Sequence, residues 1–369
     1  MKNKTLLFAL AIIGILTGCQ NENNKMTTSV NDDTGFMKGV NISHYLSQTG
    51  SRFTYGDTSY VSEKDFKWLA KQGYDHVRLP VDGSPLINDD GSINSGMFEA
   101  IDQTIDWATG NGLNVLLDIH ELPGSNFSHN PDSRLFENSD LQSKAVLLWT
   151  FISNRYKNHG PELRFEILNE PVSDNPELVT AFYSKLISVI REISPNRVIH
   201  VCSNRWGSLN TVASLEPLFP DPNLVVDVHF YEPHIFTHQK AAWVRSNHPD
   251  FPDLEFPGVV PDLSDVIPED HYGHQTIGEP MTVELIAEAF DTLAEWSEKT
   301  GIRVYNGEFG AYYMAPDASR RRWYKAVLEQ CQKHGIGWAA WDYQGGFAIR
   351  DPETGRPTLV HETIEPYLD

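Results

Sequence analysis

The chain alternates short apolar runs with longer amphipathic stretches along almost its whole length, and this alternation restricts its fold more than any other feature. The apolar runs are of β type, and several are apolar on both faces, as parallel strands covered by helices are. Strands are predicted at residues 37–42, 76–81, 114–120, 163–168, 198–203, 225–229, 302–306 and 337–341. Helices are predicted between them at residues 62–72, 98–109, 140–157, 176–193, 283–299 and 318–334. Eight strands alternating with helices favour an α/β fold, a closed (β/α)8 TIM barrel in a single domain, over an open doubly wound sheet.

Polar side chains recur at one place in this pattern, the carboxyl ends of the predicted strands. In a parallel barrel these ends meet at one rim, which is where active sites of this fold are built. The residues expected to converge there are Asn41, His44, Arg78, His120, Asn169, Glu170, His229, Tyr231, Glu308 and Trp341. Residues 231–281, rich in Pro, Asp and His, are expected to form a long loop over the same rim.

Two of these residues, Glu170 and Glu308, are carboxylates supplied by distant parts of the chain. Each follows a short apolar run and precedes a turn-forming residue, Pro171 or Gly310. Cleavage of a glycosidic bond needs one carboxyl group to lend a proton to the leaving oxygen and another to meet the cationic sugar carbon. The pair therefore predicts glycoside hydrolysis. The structural alternative for the Asn-Glu-Pro segment is a helix N-terminus with a capping role.

Short strings spread through the chain carry a resemblance to a known family. In order they are Gly39-Val-Asn-Ile, His76-Val-Arg-Leu-Pro80, Asp118-Ile-His120, Leu168-Asn-Glu-Pro171, His229-Phe-Tyr231, Asn306-Gly-Glu-Phe-Gly310 and Trp341-Asp-Tyr-Gln-Gly345. Together they resemble glycoside hydrolase family 5, the cellulase family of retaining (β/α)8 enzymes. The resemblance implies a retaining endo-glycosidase that hydrolyses β-1,4-glucan by double displacement. Glu308 would be the nucleophile and Glu170 the general acid/base, without a cofactor.

The same resemblance implies supporting roles around the sugar in the −1 subsite. Arg78 would hydrogen-bond the Glu308 carboxylate and keep it ionised, and Tyr231 would orient it. Asn169 would bind the sugar 2-hydroxyl, a bond that strengthens in the transition state.

Ring side chains would complete the −1 subsite. By resemblance, His120 and His229 would bind hydroxyls and tune the two glutamates, and Trp341 would stack on the sugar ring. The structural alternatives are a salt bridge across the barrel mouth for Arg78 and a core aromatic for Trp341.

Three further positions are assigned to the cleft. His44 stands where related enzymes often have Asn, and its expected role is a sugar contact. The segment 236–239 with Trp243 is similar to bacterial endoglucanases of the family, so His238 and Trp243 are expected to line the cleft. Glu121 departs from the second His that follows His120 in some relatives, which leaves the substrate preference open.

Three histidines could instead suggest a zinc site. They are His229, His234 and His238, at spacings of five and four residues. Paired histidines on a helix are good zinc ligands, but Pro233 makes this stretch a loop rather than a helix. No metal site is therefore expected, and no phosphate loop or dinucleotide fingerprint stands out.

Composition restricts the partners. The formal net charge of −21 argues against nucleic acid or anionic lipid as the main partner, whereas a neutral polysaccharide is indifferent to it. Abundant aromatic residues (9 Trp, 14 Tyr, 18 Phe) offer platforms for sugar rings, although most aromatics are expected in the core. Cys202 and Cys331 lie in apolar runs, which favours two buried thiols over a disulfide.

The N-terminus has the order of parts of a bacterial lipoprotein signal. A basic start and an apolar run too short to span a bilayer end in Leu16-Thr-Gly-Cys19, which resembles the lipobox. We expect a signal peptide at residues 1–19 with Cys19 lipidated, a flexible polar tether at 20–35, and the catalytic domain at 36–369. The protein would be exported and held in the cell envelope, at the outer membrane or cell surface, only by its lipid. An ordinary secretory signal is the alternative.

Rival functions remain within and outside this enzyme class. A β-mannanase, a xyloglucanase, a mixed-linkage glucanase or a β-1,3-glucanase would share the −1 chemistry, because loops form the outer subsites. A non-catalytic glycan-binding lipoprotein is the rival from a different class, and retention of both glutamates argues against it.

Overall fold

The structure, a computed structural model, describes residues 33–49, 54–128, 131–244 and 246–369. Its β-strands are Lys38–Asn41 (β1), His76–Asp82 (β2), Asn114–Glu121 (β3), Leu163–Glu166 (β4), Ile199–Cys202 (β5), Leu224–Phe230 (β6), Gly258–Val259 (β7), Pro280–Met281 (β8), Arg303–Phe309 (β9) and Gly337–Ala340 (β10). Its α-helices are Glu63–Gln72 (α1), Phe98–Gly110 (α2), Ser139–Tyr156 (α3), Pro176–Ile193 (α4), Asn204–Gly207 (α5), His234–Thr237 (α6), Val283–Thr300 (α7), Asp317–His334 (α8) and Leu359–Ile364 (α9).

Parallel strands close into a barrel in the order β1-β10-β9-β6-β5-β4-β3-β2, while β7 and β8 form a separate antiparallel pair. The predicted (β/α)8 barrel is confirmed, and each predicted strand and helix overlaps an observed one. Local signals explain several ends: Thr282 accepts a hydrogen bond from Leu285 N at the start of α7, and Gly301 ends that helix at φ 72°.

The barrel interior is layered, and its layers differ in polarity. An apolar plug of Phe36, Leu116, Val225, Tyr305 and Ala339 fills the end from which the strands start. Nearer the carboxyl ends the inward side chains are polar and fully buried: Asn41, Arg78, Asp118, Glu166 and Asp227. Because strand side chains alternate between faces, these polar residues point inward while their apolar neighbours pack against the helices.

The described chain begins at the apolar end of the barrel. Asp33 Oδ1 accepts hydrogen bonds from Arg164 Nη1 and Arg303 Nη1, both at 2.8 Å. The Arg164 guanidinium lies 3.8 Å from the centre of the Phe36 ring. The compact unit Asp33–Asp369 therefore starts slightly before the predicted domain boundary, at the end of the barrel opposite the rim.

Residues 231–281, expected to be a loop, contain α6, β7 and β8. Several of their apolar side chains, among them Phe236, Phe251, Leu254 and Phe256, are buried in the main core. The segment is therefore packed against the barrel, which its Pro- and Asp-rich composition did not reveal.

The two cysteines of the barrel are free, buried thiols, Cys202 and Cys331. The predicted signal peptide, Cys19 and nearly all of the predicted tether lie outside the described residues. None of the described helices has the length and apolarity needed to cross a membrane.

Candidate active site

Glu170 and Glu308 meet at the rim, as the sequence predicted. Glu308 is the penultimate residue of β9, and Glu170 follows β4. One oxygen of each carboxyl group lies within 4.8 Å of the other, and the side chains remain 11% and 6% exposed to solvent. Oxygens this close favour a retaining glycosidase, in which the carboxyl groups lie about 5–5.5 Å apart, over an inverting one, in which they lie about 6.5–9.5 Å apart.

Arg78 binds the candidate nucleophile and connects it to the rest of the site. Its Nη1 donates to Glu308 Oε1 at 2.8 Å, and its Nη2 donates to Asn169 Oδ1 at 2.7 Å. Its Nε and Nη2 also form a two-point ion pair with Glu166, with both distances 2.7 Å. The expected hydrogen bond to Glu308 is present, but Arg78 is the third residue of β2 and fully buried, so its backbone lies inside the barrel rather than at the end of the strand. Its side chain is long enough to reach the rim from inside the barrel.

The two glutamates have different electrostatic surroundings. Glu308 has the Arg78 cation on one oxygen and accepts a hydrogen bond from Tyr231 Oη on the other, at 2.8 Å. Glu170 Oε1 lies 2.6 Å from His229 Nδ1, and burial lowers the pKa of His229 to about 4, so this neighbour is neutral at pH 7. Burial raises the pKa of Glu170 to about 8. Burial also raises the pKa of Glu308, while the Arg78 cation acts in the opposite direction.

These surroundings divide the roles. A proton shared by the pair resides on Glu170, which has no arginine hydrogen bond, and the charge resides on Glu308, beside Arg78. Glu170 is thus suited to be an acid and Glu308 a nucleophile.

Polar atoms of Asn169 and His120 are free to bind a ligand at the same place. Asn169 Oδ1 is used by Arg78, and its Nδ2 has no hydrogen-bond partner among the described residues. His120 Nδ1 lies 2.7 Å from Asp118 Oδ2, and within the same residues its Nε2 is likewise unpaired. The His120 ring lies parallel to that of Trp341, with centroids 5.6 Å apart and 5° between the planes. A sugar with its ring against Trp341 could accept or donate hydrogen bonds at these atoms.

The three further residues assigned to the cleft, His44, His238 and Trp243, lie around this centre. The His238 ring packs edge-on against Tyr231, with centroids 5.0 Å apart, and Trp243 packs against Tyr312 at 4.9 Å. Trp243 is 54% exposed, which suits a platform for a sugar. His44 Nε2 lies 3.8 Å from Asp342 Oδ2, next to Trp341, with its backbone at φ 57°.

The histidine pattern considered for zinc does not converge. His234 and His238 stack face to face, with centroids 4.0 Å apart, and His234 Nδ1 lies 2.7 Å from Tyr272 Oη. His229 faces Glu170 instead. Among the described residues, the groups whose ligand atoms lie within 4.8 Å of one another include His229 but neither His234 nor His238.

The acidic residues beneath the pair were not predicted from the sequence. Glu166 and Asp227 are fully buried, and Asp227 Oδ1 accepts a hydrogen bond from Gly307 N at 2.8 Å. A usable signal existed, since an acidic residue inside an apolar parallel strand has to find a buried partner.

Trp206 lies near the site and was not predicted, because no motif surrounds it in the sequence. It follows β5, is partly exposed, and donates from Nε1 to Phe127 O at 3.0 Å. The ring of Phe127, whose carbonyl oxygen Trp206 binds, packs edge-on against His120 with centroids 4.9 Å apart. Arg205 and Trp206 both have left-handed backbones, with φ 58° and 60°. Two adjacent non-glycine residues in this region store strain, which is typical of functional loops.

Comparisons with known proteins agree with this geometry. The family model "Cellulase (glycosyl hydrolase family 5)" matches residues 33–346. Endoglucanase C of Acetivibrio thermocellus is 29% identical over 314 residues, which cover 84% of this chain and 91% of that protein. Cellodextrinase A of Ruminococcus flavefaciens is 31% identical over 310 residues, covering 82% and 84%. Among solved structures, Thermotoga maritima Cel5A in complex with cellobiose has a TM-score of 0.74 and 26% identity, covering 91% of this chain and 98% of its own.

The matched region includes the whole set of strings and both glutamates. The family predicted from those strings is therefore confirmed. This chain belongs to glycoside hydrolase family 5, the cellulase family.

Proposed function

We propose that this protein is a retaining endo-β-1,4-glucanase that uses Glu308 as nucleophile and Glu170 as acid and then base. The observation that carries the proposal is the carboxyl pair, with oxygens within 4.8 Å and an arginine on Glu308 only. The protein acts on cellulose-type β-glucans without a cofactor.

In the first step the Glu308 carboxylate attacks the anomeric carbon, and the bond to the leaving oxygen breaks as Glu170 gives that oxygen its proton. A covalent glycosyl-enzyme forms, and the shortened chain leaves with a new hydroxyl. Arg78 and Tyr231 hold the attacking carboxylate in place. Asn169 Nδ2 binds the sugar 2-hydroxyl, where the bond strengthens as positive charge develops on the ring.

In the second step the Glu170 carboxylate takes a proton from water, whose oxygen attacks the same carbon and releases Glu308. The carboxylate and the water attack the anomeric carbon from opposite faces of the sugar ring. Each attack inverts that carbon, so after two inversions the product keeps the β configuration. The raised pKa of Glu170 suits both roles, because the group gains and loses its proton near neutral pH.

The substrate class rests on relatives. Several curated relatives are named endoglucanases, and the structures of Thermotoga maritima Cel5A include complexes with cellobiose and with mannotriose. β-1,4-Glucan is therefore the proposed main substrate, and β-1,4-mannan is the second candidate. The endoglucanase names of the relatives favour a glucan, and the mannotriose complex keeps mannan on the panel of substrates below.

The non-catalytic binding reading is not favoured. A barrel that only binds glycan would not need a proton donor and an ionised nucleophile placed against each other, and both are present.

We also propose that Cys19 is lipidated and that the protein is exported and held at the cell envelope. The lipobox-like string supports this. Asp33 and Phe36 lie at the apolar end of the barrel, so attachment there leaves the rim free for a polymer. Metabolic labelling with a fatty acid tests it: label lost in Cys19→Ala supports lipidation, and label kept in that variant contradicts it.

Hydrolysis of a substrate panel tests the proposed activity. Reducing ends and product lengths would be measured on carboxymethylcellulose, mixed-linkage β-glucan, xyloglucan, glucomannan, galactomannan and laminarin. We expect internal cleavage of the β-1,4-glucans, with a fall in viscosity ahead of sugar release. Cleavage of galactomannan alone would replace the glucanase assignment with a mannanase, and no cleavage by folded protein would contradict the enzyme assignment.

The pH dependence of kcat/KM should be bell-shaped and fall above about pH 8. The basic limb arises because Glu170, whose pKa burial raises to about 8, must be protonated to act as the acid. The acid limb arises because Glu308 must be ionised and its pKa is also raised by burial. The check is a second profile with an aryl glycoside whose leaving group needs no proton. There the basic limb should weaken, and an unchanged limb would show that Glu170 is not its source.

A further inference from the structure

Beneath the catalytic pair lies a group of side chains whose combined metal-ligand chemistry has no part in the proposed reaction. Glu166, Cys202 and His229 each offer a ligand atom, and these atoms all lie within 4.8 Å of one another. All three residues are buried. Asp227 is the register partner of Cys202 on the next strand, so a second carboxylate lies beside the thiol.

Atoms of His229 and Asp227 are available there. His229 Nδ1 faces Glu170, and its Nε2 has no hydrogen-bond partner in the part of the chain that the structure describes. Asp227 Oδ2 is also unpaired among those residues, although Oδ1 accepts from Gly307 N. His229 Nε2 and Asp227 Oδ1 are 4.0 Å apart. Unpaired atoms this deeply buried are costly unless a ligand can use them.

The charges around this group favour a cation. The Arg78 guanidinium forms ion pairs with Asp118, Glu166 and Glu308. Asp227 is fully buried next to this set, and the basic groups within 4.0 Å of its carboxylate are the imidazoles of His200 and His229. Buried acidic groups thus outnumber the guanidinium that balances them, and a second positive charge would be stabilised there.

We propose that Glu166, Cys202 and His229, with Asp227 in reach, form a binding site for a thiophilic divalent cation, and that its occupation inhibits the enzyme. Sulfur, imidazole and carboxylate ligands together suit Zn²⁺ or Cd²⁺, whereas Mg²⁺ and Ca²⁺ prefer oxygen alone. Tetrahedral ions with ligands at about 2.0–2.3 Å hold them roughly 3.3–3.8 Å apart, so the group has to contract by at most about 1.5 Å. As the metal–sulfur bond forms, the thiol proton passes to solvent, and no electron is transferred.

The cation would inhibit the enzyme because it would remove Glu166 and His229 from contacts that support catalysis. This expectation of inhibition rests on the proposed function. Glu166 would leave its two-point bond to Arg78, which positions Glu308. His229 would be held by its Nε2 and lose freedom to follow Glu170. Both changes lie below the sugar, so we expect kcat to fall while KM changes little.

A rival cation position lies above. Glu170, His229 and Glu308 also have ligand atoms within 4.8 Å of one another. An ion held there would touch the reacting carboxylates and compete with substrate, and it would not need the thiol.

Cadmium binding to the purified protein tests the proposal by two independent readouts. The chain carries cysteines at 19, 202 and 331, so all measurements use a Cys19→Ser background. The first readout is the ultraviolet thiolate-to-cadmium absorption band, and the second is the Cd²⁺ concentration that halves activity on carboxymethylcellulose. Cys202→Ala and Cys202→Ser are compared with Cys331→Ala, a matched change of the other buried thiol.

We expect the band and non-competitive inhibition in the background protein and in Cys331→Ala. Both Cys202 variants should lose the band, and their half-inhibiting Cd²⁺ concentration should rise at least about tenfold, since even partners of metal ligands are worth about 10–100-fold in affinity. Equal inhibition in Cys202→Ala, or a band that disappears only in Cys331→Ala, would overturn the proposal. The band is seen without turnover, so an inactive protein that shows it would contradict the proposed function and leave the cation site standing.

Discussion

Replacing Glu308 with glutamine should lower kcat on β-1,4-glucans by on the order of 10⁴–10⁶-fold, the range in which loss of a catalytic nucleophile falls. The amide cannot attack the anomeric carbon. It can still accept a hydrogen bond from Arg78 and remain beside Tyr231, so the fold should survive. Initial rates measure the loss of turnover, and the thermal unfolding midpoint measures whether the fold survives.

The matched control for this change is Glu232→Gln, an exposed glutamate next to Tyr231. It should retain nearly the wild-type rate. Glu170→Ala separates the two roles, because it should still react with an aryl glycoside in the first step and then stall. Near-normal turnover in Glu308→Gln would refute the assignment of the nucleophile.

Replacing Arg78 with methionine should destabilise the protein by about 3–5 kcal/mol, as breaking a buried ion pair does. The change leaves Asp118, Glu166 and Glu308 in the barrel without their guanidinium. Activity should fall as well, because Glu308 loses the cation that keeps it ionised. The free energy of unfolding from denaturant titration measures the first effect.

The pH dependence of the free energy of unfolding of Arg78→Met distinguishes loss of the ion pairs from simple loss of packing. Without Arg78 the buried carboxyl groups bind protons more tightly in the folded state, so the variant's stability should fall as pH rises. The destabilisation should therefore shrink toward acid pH, whereas a packing defect would be insensitive to pH. The control is Arg155→Met, which breaks a partly exposed ion pair with Asp102 and should cost about 0–1 kcal/mol.

Much of the scaffold was predictable because strand and helix periodicities are local. The helix at 176–193 was predicted to the residue, with Asn175 accepting a hydrogen bond from Glu177 N at its start. The strand containing Glu308 was predicted to end at 306 and continues to Phe309, since Gly307 interrupts the apolar pattern that marks a strand.

The candidate site was predictable to the extent that its residues lie at strand ends. Arg78 was expected at the rim, but its position inside the barrel depends on Glu166 and Glu308, which are 88 and 230 residues away in sequence. No local pattern contains such a contact. The packing of residues 231–281 was missed for the same reason, as their core contacts are with distant elements.

The buried acidic residues beneath the catalytic pair are the most important site residues that were not predicted from the sequence. Glu166 and Asp227 alternate with apolar neighbours on β4 and β6, so the sequence shows which strands carry them. Their inward direction, and the approach of Cys202 to Glu166 and His229, depend on how the barrel closes.

The configuration of the first product tests the central claim most directly. Proton NMR of freshly cleaved cello-oligosaccharide, recorded before the anomers equilibrate, identifies the configuration at the new reducing end. Double displacement by Glu308 and Glu170 predicts that the β-anomer appears first and the α-anomer follows by mutarotation. An α-anomer at the earliest time would show single displacement and contradict the mechanism derived from this carboxyl pair.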